Sequence, residues 1–193
     1  MKNQINKKKL FTITFCIFIL VSIEQGIKLF IYNFILDEVF IIIPHVFTFR
    51  TTQNIHLGFI WNLFDFMMPL WGASLISIIG LLVITTMYFY LNHLTLIWGK
   101  FQKVNTVAMI FIIAGIICKI IDDIFWGGSL DYIKFFDWFI FDLKDVYITT
   151  IGMPLLIFLM IYNDIYLTKF PKNDQKQIEK NLSFKTWVKN IKQ

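Results

Sequence analysis

Four runs of apolar residues alternate along the chain with shorter polar segments. A helix needs about 20 mostly apolar residues to cross a bilayer. The pattern predicts spans over Leu10–Phe34, Pro69–Leu91, Val104–Trp126 and Asp145–Leu167. The first, preceded by Lys7, Lys8 and Lys9, has the flanks of a signal peptide. Its length and the want of a small-x-small cleavage site make it an uncleaved first span. Between spans one and two the period changes. "VFIIIPHVFTFR" and "IHLGFIW" are rich in β-branched and aromatic residues, with "TTQN" as a turn between them, which predicts a hairpin or small sheet. A short helix is expected around "FDFMMPLW". After span four, "PKNDQKQIEKNLSFKTWVKNIKQ" puts Ile178, Leu182, Val188 and Ile191 on one helical face among lysines. That face suits an anionic lipid surface, and a solvated tail is the alternative.

Composition and charge orient this plan. Hydrophobic residues make up 57% of the 193, above the roughly 45–50% of soluble domains. The net charge of +5 is unevenly spread. Lys2, Lys7, Lys8 and Lys9 precede span one, Lys100 and Lys103 lie between spans two and three, and seven lysines from Lys169 to Lys192 follow span four. The other two loops carry only Arg50 and Lys134. Basic loops stay on the cytoplasmic side, so both termini are expected there. The expected fold class is an all-α membrane protein of four transmembrane helices, with a small extracytoplasmic β-hairpin or sheet after the first. Residues 1–167 form the membrane domain and residues 168–193 a basic tail. Topology accounts for the lysines without nucleic acid as a partner. Cys16 and Cys118 lie in apolar runs, and His45, His56 and His93 lack ligand spacing. Neither a metal nor a cofactor is expected, and the default state is a monomer in membrane lipid.

Ionisable residues inside apolar spans are costly and mark functional sites. Glu24 and Lys28 are spaced to pair on one helix face. Lys119, Asp122 and Asp123 lie within one turn, and Asp145 opens span four after Asp142 and Lys144. Spans three and four are antiparallel, so Asp122 and Asp145 lie at similar depth near the outer surface. Asp122 is about four residues below the end of its span, or ~6 Å. Two close carboxylates in a partly dry site share a proton. One then serves as general base for water and the other as general acid for a leaving amine. The alternative is two interfacial acids, each paired with a lysine.

The same residues carry a resemblance. "GIICKIIDDIFWGGSLDYI" is similar to the third-span signature of signal peptidase II, roughly G-x-x-G-N-x-x-D-R followed by G-G-x-x-D-[FY]-I, through Gly115, Asp122, Gly127, Gly128, Asp131, Tyr132 and Ile133. "FDLKDVYITTIG" resembles the family's F-N-x-A-D signature through Phe141, Asp145 and Gly152. "EQGIK" resembles D-Q-x-x-K through Gln25 and Lys28, and "NIHLGF" resembles N-x-G-A-A-F through Asn54 and Phe59. The resemblance covers about residues 10–167. It implies an aspartic endopeptidase of the bacterial plasma membrane, multi-pass, that removes signal peptides from diacylglyceryl-modified prolipoproteins at the outer membrane surface. It implies Asp122 and Asp145 as the catalytic dyad, with Asn54, Phe59, Lys119, Asp142, Gln25 and Lys28 around the substrate.

The chain departs from these signatures by charge. Lys119 and Asp142 replace asparagines, Asp123 an arginine, Lys144 an alanine and Glu24 an aspartate. The added charges balance in sign, so Lys119 is expected to pair with Asp142 or Asp123. An ammonium beside the dyad would favour ionised carboxylates and retune or disable it. A non-catalytic relative that binds lipoproteins or lipidated peptides is therefore the alternative reading. A cation-binding membrane protein is a third, opposed by the lysines.

Overall fold

The computed structural model describes residues 7–54, 69–136 and 138–191. Among these, four helices are long and apolar enough to cross a membrane. Helix α1 is Lys7–Phe34. Helix α2 is Leu70–Trp98, begun by Pro69 and closed by Gly99 in a left-handed conformation (φ 72°), whose N–H bonds Leu96 O. Proline before the first turn and glycine past the last are the usual helix punctuation. Helix α3 is Gln102–Ile121 and continues as a wider π turn over Asp122–Trp126. Helix α4 starts at Leu143–Asp145, widens over Val146–Gly152 and runs on as Met153–Leu167. Both π turns lie beside the charged residues, where such turns often mark function.

The apolar side chains of α1 and α2 point mostly outward, as lipid-facing residues do. Helices in lipid gain little from hydrophobic burial against one another and associate through close packing of small residues. The α3–α4 contact follows this rule. Ala108 and Ala114 are buried. A Cβ on Gly152 would lie 3.0 Å from Tyr147 O and 3.3 Å from Ala108 O. A Cβ on Gly115 would run into the Ile148 side chain. Toward the lysine-rich end, Leu91, Leu94, Trp98, Met109, Ile112 and Leu159 form the larger core cluster.

At the other end lies a four-stranded antiparallel sheet in the order β1-β2-β3-β4. Strands β1 (Val39–Ile43) and β2 (Phe47–Asn54) form the expected hairpin after α1. Its turn is not "TTQN", which lies inside β2 as β-branched residues favour. The chain turns at Pro44–Val46 instead, where proline cannot extend the ladder, His45 takes a φ of 60° and Val46 N bonds Ile43 O at 3.0 Å. "IHLGFIW" and most of "FDFMMPLW" lie outside the described residues. The loop after α3 adds β3 (Ser129–Phe135) and β4 (Phe139–Phe141). β3 pairs with β2, from Phe47 opposite Phe135 to Asn54 opposite Ser129. Beneath the sheet, Ile31, Leu130 and Tyr132 form a second small core.

The tail is two helices, α5 (Lys172–Leu182) and α6 (Phe184–Ile191). They break at Ser183, whose Oγ accepts from Thr186 N at 3.4 Å.

Candidate active site

The polar centre forms where the last turns of α1, the π turn of α3, the start of β3 and the start of α4 converge. Glu24, Lys28, Asp122 and Asp142 are all 0% exposed. Buried charges persist only when paired and hydrogen-bonded, and these are. Lys28 Nζ lies 2.6 Å from Asp122 Oδ2, 2.7 Å from Asp142 Oδ2 and 3.1 Å from Glu24 Oε1. Lys144, 3% exposed, adds a second ammonium. It pairs with Asp142 Oδ2, lies 3.1 Å from Asp122 Oδ2 and approaches Asp131 Oδ1 at 3.9 Å.

Local structure fixes the acids of α4. Asp142 and Asp145 form a reciprocal capping box: Asp145 N donates to Asp142 Oδ1 at 3.2 Å, and Asp142 N to Asp145 Oδ2 at 3.4 Å. Satisfying the first-turn amides this way lets the helix begin inside the protein. Asp131 is set by its neighbours. Ser129 Oγ lies 2.6 Å from Asp131 Oδ1, nearer than to Asp142 (3.1 Å) or Asp122 (3.4 Å), so its one proton serves Asp131. Lys144 donates to the same oxygen of Ser129. Asn54 Nδ2 donates to Asp131 Oδ2 at 3.3 Å. One carboxylate oxygen each from Asp131, Asp142 and Asp145 lies within 4.8 Å of the others.

Counter-charge is unequal across the cluster. Glu24, Asp122, Asp131, Asp142 and Asp145 share two ammoniums, Lys28 and Lys144. Burial opposes the charge on Asp142, but Lys144 and Lys28 outweigh it and hold its carboxyl down at about 2. Burial raises the Asp131 carboxyl, and the more distant Lys144 and the Ser129 hydrogen bond only partly offset this. The Tyr132 hydroxyl is also raised, by burial and by the adjacent Glu24 carboxylate. It donates to Glu24 Oε2 at 3.0 Å and accepts from Leu143 N at 3.3 Å, tying β3 to α1 and α4.

The residues singled out from the sequence fall into distinct places. The expected Glu24–Lys28 pair is present. Lys28 and Asp142 are sealed in the cluster, where they hold other side chains. Gln25 holds Asp122 Oδ1 through its Nε2 at 3.2 Å and accepts from Trp126 Nε1 at 3.0 Å. Lys119 pairs with Asp123 one turn along its own helix, its side chain 19% exposed, and takes part in none of the ion pairs of the buried cluster. Asn54 is in the site, bonded to Asp131. Phe59 lies outside the described residues. Asp122, expected to partner Asp145, is fully enclosed, and its carboxylate is bound by two lysines. The acids grouped with Asp145 are Asp131 and Asp142; the only sequence signal of Asp131 was its place in "GGSLDYI". Ser129 carried no signal beyond its neighbourhood. Beside the site, a cavity of about 410 Å³ is lined by Tyr32, Leu36, Gln53, Phe125, Trp126 and Leu130.

Fold and site together define an integral membrane protein with a carboxylate-centred polar site buried at one end of its helices. The chain belongs to the signal peptidase (SPase) II family, which its residues 16–162 match. This is a family of aspartic proteases that process lipoproteins by removing their signal peptides. Two solved structures described as bacterial membrane enzymes, obtained by the in meso method at 2.3 and 1.9 Å resolution, share the fold. Their TM-scores are 0.59 and 0.60 and their identities 21% and 22%; the matches cover 79% and 77% of this chain and 89% and 92% of theirs. No curated protein sequence matches the chain significantly.

Proposed function

We propose that this protein is an active aspartic endopeptidase that removes the signal peptide from diacylglyceryl-modified prolipoproteins, with Asp131 and Asp145 as its dyad. The observation that carries this reading is the approach of their carboxylate oxygens within 4.8 Å in a place where the ammoniums serve mainly Asp122 and Asp142. Two such carboxylates share a proton. Asp131, the more enclosed of the two, is assigned the shared proton as the general acid. Asp145, the more exposed of the two, takes the proton of the attacking water. The water oxygen adds to the scissile carbonyl, the C–N bond breaks, and Asp131 protonates the departing amine. Asn54 and Ser129 hold Asp131 for this transfer.

The orientation rests on charge. The site lies at the end of the helices opposite Lys7, Lys100, Lys103 and Lys169. By the positive-inside rule that position favours the outer surface, where the lipid of a diacylated substrate lies. The cavity beside Trp126 suits the apolar part of such a substrate.

The test compares purified protein in detergent on a diacylated prolipoprotein and on the same chain without lipid. Cleavage confined to the lipidated substrate supports the proposal. Equal cleavage of both, or binding of the lipidated chain without cleavage by folded protein, refutes it; the second outcome would describe a lipoprotein-binding member of the family.

A further inference from the structure

The two tail helices lie beyond the family match, which ends at residue 162. They are docked rather than free. Leu182 is buried in the core cluster of the bundle, with Ile178 against it. Tyr90 OH donates to Leu182 O at 3.0 Å. The Tyr90 ring meets those of Phe184 and Trp187 edge-on, with centroids 5.3 and 5.7 Å away.

Tyr90 gives these helices a depth. Helix α2 has 29 residues, about 43 Å at 1.5 Å per residue, which exceeds the roughly 30 Å of bilayer hydrocarbon. With the start of α2 at the near edge of the hydrocarbon, Tyr90, 20 residues or about 30 Å further on, lies at its far edge. Helix α6, seated on that ring, is therefore at headgroup level, where amphipathic aromatics concentrate. Its Phe184, Trp187 and Val188 share one face by helical spacing.

Charge identifies what lies against it. Lys172, Lys176 and Lys180 repeat every four residues along α5, opposite Ile178 and Leu182, and Lys185 and Lys189 do the same on α6. All five are exposed, and none makes an ion pair with the described residues. Lys100 and Lys103 extend the basic surface at the same end of the bundle.

We propose that the α5–α6 hairpin is a headgroup-level anchor that binds the anionic phospholipids of the leaflet at the lysine-rich end of the bundle. Its aromatic face enters the hydrocarbon edge beside Tyr90, and its lysines take the lipid phosphates. The inference is independent of peptidase activity.

The experiment is amide hydrogen exchange over residues 172–191 of the full-length protein, in nanodiscs of phosphatidylglycerol and of phosphatidylcholine. Exchange is expected to be at least about tenfold slower in phosphatidylglycerol, with the difference shrinking as salt rises. Changing Lys172, Lys176, Lys180, Lys185 and Lys189 to Gln abolishes the difference, and changing them to Arg retains it. Exchange in α3 and α4 reports that each variant is folded. Equal exchange in the two lipids, or a difference that survives in the Gln variant, overturns the proposal.

Discussion

Replacing Lys28 by Met keeps most of the side chain's volume and removes one ammonium. In the native protein that ammonium lies within 3.1 Å of three carboxylates, on Glu24, Asp122 and Asp142. All four residues are sealed from solvent, so water cannot replace the lost partner. Removing one member of a buried ion-pair network costs about 3–5 kcal/mol, because the remaining charges stay buried and uncompensated. That lowers the folded-to-unfolded ratio by a factor of roughly 100 to 4,000. The assay is reversible unfolding in mixed micelles near neutral pH, comparing wild type, Lys28→Met, Asp122→Asn and the double variant. The double variant should recover part of the loss, since it removes a stranded negative charge along with the ammonium, and the cycle should show a coupling above 1 kcal/mol. A loss below about 1 kcal/mol for Lys28→Met, or strictly additive losses, would show that the buried cluster does not hold the helices together.

Asp142 sets an acid limit on stability. Its folded carboxyl is held at about 2 against an ordinary value near 3.9, so its contribution of about 2 kcal/mol is complete above pH ~4 and fades as pH falls toward 2. Thermal unfolding across this range should show a slope in wild type that is reduced in Asp142→Asn. A methyl group at Gly152 meets the backbone carbonyls of Tyr147 and Ala108; Gly152→Ala should cost about 1–3 kcal/mol by overpacking, read in the same micelle assay. Tyr132→Phe removes the hydroxyl that joins Glu24 to Leu143 N. It should lower stability by about 1–2 kcal/mol.

The helices were readable because span length is a property of long segments that no local contact overrides. Gly115 and Gly152 were visible only as motif positions; their use at a close α3–α4 contact needs the neighbouring helix. The hairpin after α1 was legible, but its turn was misplaced, because "TTQN" has turn residues at its end and β-branched ones at its start, and pairing with β3 kept it extended. Strands β3 and β4 were not anticipated, since seven and three residues of mixed pattern gain their ladders only from β2 and from each other. The charged residues were identified, and so were their partners within one helix, but not those on other helices. Helical spacing predicts Lys119 with Asp123. It says nothing of Lys144, whose side chain crosses to Asp122 on another helix. The choice between Asp122 and Asp131 likewise depends on which acid the two lysines neutralise.

The measurement that reaches the central claim most directly is cleavage of a diacylated prolipoprotein by folded Asp131→Asn, Asp145→Asn and Asp122→Asn proteins beside wild type. If Asp131 and Asp145 form the dyad, wild type cleaves, the first two variants do not, and Asp122→Asn keeps measurable activity at reduced stability. Cleavage by Asp131→Asn, or a loss confined to Asp122→Asn and Asp145→Asn, would contradict the account and return the general acid to Asp122.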